Sequence, residues 1–149
     1  MKSANDFEIE SHTADLKIRA YGKTIQELFK NALVGMFQAI GPQSSDCRKK
    51  NGRLICTNLP AQRSLKVTAE NENDLLINFL SEALYLSDVH NEAYLDATIK
   101  SLSENAIQAT LHGISITRFE IEIKAVTYHA VHIEKLEDGT WTTAIVFDI

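Results

Sequence analysis

The sequence has few of the residues on which many small proteins depend for stability or chemistry. Its 149 residues include two cysteines, two prolines, six glycines and one tryptophan. The spacing of Cys47 and Cys56 matches no zinc motif, and two cysteines make no disulfide framework. We therefore expect reduced thiols, with one loop-closing disulfide as the alternative. The scattered glycines form neither a P-loop nor a G-x-G-x-x-G motif, so the common phosphate-binding loops find no support.

Long apolar segments and an excess of basic charge are also absent. No apolar run approaches the ~20 residues that span a bilayer, and the first residues lack the pattern of a signal peptide. We expect a cytoplasmic protein with no membrane partner. The net charge of −5 argues against a dedicated nucleic-acid binder. The densest basic patch, at 48–53, is interpreted as a solvated loop, which leaves direct RNA contact as the minority interpretation.

The length and the apolar content of 44% suit one domain, 1–149, with a substantial core. Two amphipathic helices are predicted. The first begins after a capping box at 24–27 and should run over 25–40. The second should be capped by Asn71 or Asn73 and end near 87–91.

Alternating apolar and polar residues predict about eight strands, joined mostly by hairpins. The strands are expected within 6–11, 16–21, 53–57, 65–70, 93–99, 107–111, 121–134 and 141–147. The fold class is therefore α+β, with the two helices packed together against a largely antiparallel sheet.

The most informative chemistry lies at the two ends of the chain. Asp15 closes an interruption between the first two strands, and a strand pattern continues up to Asp148 and Ile149. If the sheet brings these ends together, two side-chain carboxylates meet the main-chain carboxylate of Ile149. Burying such groups unpaired costs on the order of several kcal/mol. A lysine or arginine could neutralise one group, whereas a divalent cation with oxygen ligands would neutralise them all.

Asp15, Asp148 and Ile149 are therefore the predicted metal ligands. The competing interpretation of Asp15 is a turn residue that is hydrogen-bonded to local amides. His12 could be a ligand, a turn residue or, for a hard cation, a group that orients a ligand from behind. His129 and His132 fall on opposite faces of a predicted strand, which disfavours a zinc pair. We predict no catalytic residue and no organic cofactor.

Four segments of the sequence resemble the archease family. They are His12–Gly22, Asp74–Glu82, Lys124–His129 and Val146–Ile149. Together they cover both ends and the middle of the chain in the family's order. The resemblance implies a small cytoplasmic protein that is not itself an enzyme. It implies an activator of the GTP-dependent tRNA-splicing RNA ligase, which promotes guanylylation of that ligase and its multiple turnover.

The resemblance also implies a divalent metal, calcium in crystals of the family. Its ligands would be the aspartate of the His-Thr-Ala-Asp motif, the penultimate aspartate and the terminal residue, which are Asp15, Asp148 and Ile149 here. Two alternatives stay open. One is an independent metal-dependent hydrolase with His12 as general base. The other is a structural metal that only pins the last strand.

Overall fold

The computed structural model describes residues 6–11 and 15–149, except for the side chain of Ser11. Within these residues the fold has two helices, α1 (Ile25–Ala39) and α2 (Glu72–His90), and twelve strands. The strands are β1 (Phe7–Ser11), β2 (Asp15–Gly22), β3 (Pro42–Gln43), β4 (Arg48–Lys50), β5 (Arg53–Ile55), β6 (Ala61–Thr68), β7 (Glu92–Leu102), β8 (Ala106–Ser115), β9 (Arg118–Phe119), β10 (Ala125–Val126), β11 (Glu134–Lys135) and β12 (Trp141–Asp148). The predicted α+β class is confirmed.

The predicted capping residue begins α1. Thr24 Oγ1 accepts a hydrogen bond from the Glu27 amide at 3.1 Å, and Glu27 Oε1 accepts one from the Lys23 amide at 2.9 Å. These bonds satisfy amides that have no partner inside the helix. Gly41 then adopts a φ of 68°, a left-handed conformation that ends the helical path.

The second helix is defined at both ends by asparagine. Asn71 Oδ1 accepts from the Asp74 amide at 2.8 Å, so Asn71 and not Asn73 is the N-cap. Asn91 follows the last turn in the left-handed conformation, with φ 54°. Asparagine tolerates this conformation better than most side chains do, which explains a helix end without glycine. No helix in the described part of the chain is long and apolar enough to cross a membrane.

The first sheet joins the two ends of the sequence. Its order is β1-β2-β12-β10, with β11 also paired to β12, and all of these pairs are antiparallel. Strand β12 lies against β2 over its whole length, from Trp141↔Gly22 to Asp148↔Asp15. Ile145 and Phe147 are fully buried in this strand. Strand β12, the last apolar segment of the sequence, therefore lies inside the first sheet, between β2 and β10.

A second, three-stranded sheet has the order β6-β8-β7. Helix α1 packs on β2 of the first sheet and on β7 of the second, and α2 packs mainly on β6 and β7. Buried side chains from both helices and both sheets form one cluster, which includes Phe29, Phe37, Phe79 and Tyr94. The strands are thus more numerous than the eight expected and are divided among several sheets.

The segment 120–133 differs most from expectation. A strand was predicted over 121–134, but only the short strands β10 and β11 pair there. The alternation of Ile121 and Ile123 has another cause, because both side chains are half-buried and line a cleft of about 790 Å³ against α2. His129 and His132 lie in the irregular part of this segment. The argument from opposite faces of a strand is therefore wrong for this pair.

Strands β4 and β5 form a hairpin around Asn51-Gly52, a dipeptide typical of two-residue turns. Both turn residues have positive φ, 53° and 80°, as a tight two-residue turn requires. Cys47 and Cys56 follow the last pair of the ladder and are joined by a disulfide. The expectation of reduced thiols is wrong for this structure. The hairpin register places the two cysteines directly opposite each other, which their spacing in the sequence does not reveal.

Candidate metal centre

Two carboxylates meet where β2 and β12 pair. Asp15 is the first residue of β2, Asp148 is the last residue of β12, and the two are direct partners in the ladder. Directly opposed residues of antiparallel strands have Cα atoms about 5 Å apart and side chains on the same face. Ile149 follows Asp148 immediately. The fold therefore brings the predicted side-chain ligands together from opposite ends of the sequence.

The faces of the sheet decide where these carboxylates point. Leu16 and Phe147, the neighbours of the two aspartates, are 3% and 0% exposed and face the core. Because side chains alternate along a strand, Asp15 and Asp148 lie on the opposite face. Asp15 is half-buried there and Asp148 is exposed. The pair sits at the rim of the sheet, where an ion from solvent can reach it.

One oxygen of this pair is buried without a partner among the residues that the structure describes. Asp15 Oδ1 has almost no accessible surface and accepts no hydrogen bond from residues 6–11 or 15–149. A turn residue held by local amides would have this oxygen bonded, so the observation disfavours that interpretation for Oδ1. A buried polar atom left unpaired costs about 1–3 kcal/mol, and more when it is charged. An oxygen in this state is suited to a ligand that the protein itself does not supply.

Among the described residues, no basic side chain takes the place of such a ligand. Within 6–11 and 15–149, no lysine or arginine forms an ion pair with Asp15 or Asp148. The main chain of Asp148 is held firmly, since its carbonyl accepts from the Lys124 amide at 2.7 Å and Ala125 of β10 is its ladder partner. Strand β12 is thus supported on both sides at this position.

The donor set fits a hard divalent cation such as calcium, which prefers carboxylate and main-chain oxygens. In the described part of the chain, no three His, Cys, Asp or Glu side chains group closely enough to hold a metal. The site would therefore combine two aspartates with a main-chain group of Ile149. His12 lies outside the described residues, and its predicted role stays a prediction.

A second charged cluster was not predicted from the sequence. Arg63 donates two hydrogen bonds to Glu92, each 2.9 Å long, and the Tyr94 hydroxyl donates to Glu92 Oε1 at 2.8 Å. The Arg63 hydrogen bond lowers the pKa of the Glu92 carboxyl despite its burial, and burial together with Glu92 raises the pKa of Tyr94. Because every oxygen of the carboxylate is occupied, this cluster is structural. Arg63 lies 29 residues before Glu92 in the sequence, so no local pattern indicates their pairing.

Comparison with known proteins agrees with the resemblance of the motifs. The sequence model of the "Archease protein family (MTH1598/TM1083)" matches residues 7–149. Protein archease of Methanosarcina mazei is 32% identical over 151 residues, which cover 96% of this chain and 95% of that protein. Protein archease of Thermococcus gammatolerans is 33% identical over 150 residues, with 96% and 98% covered.

Solved structures of similar fold are also found. The solution structure of Methanobacterium thermoautotrophicum protein 1598 matches with a TM-score of 0.67 and 26% identity, over 97% of this chain and 99% of that one. A crystal structure from Thermotoga maritima, described as an archease and possible chaperone, matches with a TM-score of 0.61 over 94% of each chain. At 20% identity the latter shows the fold alone. The family match over 7–149 and the full-length relatives establish that this chain belongs to the archease family.

Proposed function

We propose that this protein is a metal-binding cofactor protein that activates the GTP-dependent tRNA-splicing RNA ligase, promoting its guanylylation and repeated turnover. The protein itself performs no ligation, and it acts in the cytoplasm on a protein partner. The proposal combines membership of the archease family with the activity that the motif resemblance implies. The observation that carries it is the direct pairing of Asp15 with Asp148.

The unbonded oxygen of Asp15 supports a metal at this place. Two carboxylates directly opposed on one face repel each other, and no described residue donates a hydrogen bond to Asp15 Oδ1. A divalent cation bound between the carboxylates would offset their repulsion and would also give Asp15 Oδ1 a partner. Asp15 and Asp148 would hold the ion, with Ile149 as the third ligand that the resemblance implies. When bound, the ion would supply a positive centre on an acidic rim.

The rim position is what suits the site to a protein partner. Asp148 is exposed, and the sheet holds its main chain on both sides. A rigid and accessible acidic group, with or without its ion, can be presented to the active site of a ligase at little entropic cost. The site therefore suits a pre-formed binding surface for a protein partner better than an enclosed active-site pocket.

The test is a guanylylation assay of the purified ligase at a fixed concentration of divalent metal. Wild-type protein should stimulate guanylylation, whereas Asp15→Ala and Asp148→Ala should stimulate it at least about tenfold less, a loss of ~1.4 kcal/mol of coupling. Circular dichroism should show the same fold in all three proteins. Normal stimulation by both variants would overturn the proposal.

A matched control separates this site from general acidity. Glu137 is an exposed acid in the turn at the opposite end of β12. Glu137→Ala removes one negative charge without touching the pair, so it should stimulate the ligase as the wild type does. A similar loss in this variant would mean that net charge, rather than the paired aspartates, is responsible.

The hydrolase alternative gains no specific support. The residues that line the 790 Å³ cleft, within the described part of the chain, include neither Asp15 nor Asp148. A hydrolase would need a substrate pocket beside its metal. Turnover of a phosphoester or ester by this protein alone, lost in Asp148→Ala, would favour that alternative over the activator.

A further inference from the structure

We propose that the Cys47–Cys56 disulfide is a reversible redox site, opened by thiol reductants of the glutathione or thioredoxin class, and that its state controls the order of the basic hairpin it closes. This inference concerns a different part of the molecule from the paired aspartates and does not depend on them. It begins from the position of the bond in the fold.

The disulfide closes the open end of the β4–β5 hairpin. Arg48 and Ile55 form the outermost pair of the ladder, and the cysteines stand immediately beyond them, with Cα atoms 4.6 Å apart. Each strand of the hairpin has only three residues. An isolated two-stranded hairpin is marginally stable at best in water. The bond therefore stabilises an element that its own ladder holds weakly.

The disulfide lies at the protein surface. Both cysteines are partly exposed, and they line a surface depression of about 330 Å³. The depression is lined by Ser45, Asp46, Cys47, Arg48, Ile55, Cys56 and Thr57. A disulfide deep in a core resists exchange because no thiolate can approach it, whereas this one is open to attack.

Basic side chains beside the bond favour its opening. Arg48, Lys49 and Lys50 are exposed on β4, directly after Cys47. Positive charge stabilises a thiolate, both as the attacking group and as the leaving group of exchange. In a cytoplasmic protein, the location proposed above, a disulfide of this kind is more often a redox sensor than a permanent crosslink.

In the described part of the chain, the hairpin is held to the rest of the protein mainly through β5. The Gln38 side chain bonds both main-chain groups of Leu54, and Arg53 donates two hydrogen bonds to Asp6 and lies over the Phe7 ring. On β4, Lys49 forms an exposed ion pair with Glu120. Leu54 is the buried residue of the two strands. Because these contacts hold β5 more than β4, strand β4 should gain the most freedom once the crosslink opens.

The exchange is balanced without further reactants. A thiolate of the reductant attacks one sulfur, the S–S bond breaks, and the other cysteine leaves as a thiolate. A second reductant thiolate attacks the mixed disulfide and releases the first cysteine. The protein gains two electrons and two protons, and the reductant becomes a disulfide.

The first experiment measures the bond itself. The folded protein is equilibrated in glutathione buffers from fully oxidised to mostly reduced, quenched with an alkylating reagent and weighed by mass spectrometry. Two free thiols should appear together in the reduced buffers and vanish in the oxidised ones. A bond that survives excess reduced glutathione would be a permanent crosslink, and cysteines that stay free in oxidised glutathione would form no site; either result overturns the proposal.

The second experiment measures the hairpin. Trypsin should cut after Lys49 and Lys50 at least about tenfold faster in the reduced protein than in the oxidised protein, because cleavage tracks the open population. The double variant Cys47→Ser/Cys56→Ser should be cut at the fast rate with or without reductant. Cleavage after Lys100, an exposed lysine of β7, is the internal control and should not change. Equal rates after Lys50 in both redox states would overturn the control of hairpin order.

Discussion

At the scale of single residues, Asp15 has a buried oxygen, Oδ1, that accepts no hydrogen bond from the described residues and that a cation could bind. We expect calcium to stabilise the wild type by about 2.7 kcal/mol at one hundred times its Kd. For a chain of this length that raises the melting temperature by roughly 5–10 °C. Asp15→Asn and Asp148→Asn should lose most of this shift. The measurement is a thermal melt with calcium and with a chelator.

The metal-free arm of the same melt gives an independent check. Asp15→Asn removes one of two opposed negative charges, so its melting temperature in chelator should equal or exceed that of the wild type. A wild type that calcium does not stabilise would contradict a metal at this pair. An equal calcium shift in wild type and both variants would place the ion elsewhere.

Glu92 gives a residue-scale prediction for pH. Its folded pKa lies below the ordinary value of 4.5, chiefly because Arg63 donates to it. The carboxylate therefore contributes stability that is fully present above about pH 4.5 and is lost as pH falls through the folded pKa. Glu92→Gln should unfold in urea with a free energy that depends less on pH below 4.5. An unchanged slope in that variant would mean that other carboxylates dominate the acid transition.

At the scale of elements, capping asparagines decide where α2 begins and ends. Asn71→Ala should destabilise the protein by about 1 kcal/mol, because the Asp74 amide loses its acceptor. Asn91→Gly should be neutral or slightly stabilising, since glycine adopts the left-handed conformation without strain. Urea unfolding measures both. A larger loss for Asn91→Gly than for Asn71→Ala would contradict this account.

The elements also show which parts of the structure the sequence can predict. Both helices were predicted within one or two residues, because caps and apolar periodicity are local signals. The strand prediction around Ile121 and Ile123 was wrong because apolar and polar side chains also alternate along an extended segment that lines a cleft. The disulfide could be named only as the alternative to reduced thiols, because its formation depends on the register of the hairpin. The sequence could predict that Asp15 and Asp148 meet only if the first and last strands pair. That pairing joins strands more than a hundred residues apart, and no local signal indicates it.

At the scale of the whole molecule, α1 links the two sheets. Leu33 is fully buried in a cluster that draws side chains from both sheets. Leu33→Ala should cost about 2–5 kcal/mol of unfolding free energy. Hydrogen exchange followed by mass spectrometry should show protection falling together in β8 and β12. Protection that persists in β8 while β12 exchanges freely would mean that the sheets unfold as separate units.

The interior place of β12 has a consequence for how the protein is made. Both helices and all strands of the β6-β8-β7 sheet precede β12 in the sequence, so β2 has one edge open until β12 has been synthesised and has paired with it. Nascent chains that have not yet paired β12 therefore carry an open strand edge on which other chains can pair. Ribosomes that follow one another closely on one mRNA hold many such edges side by side. Slow initiation spaces these ribosomes apart, so it should raise the yield of this protein more than fast elongation does.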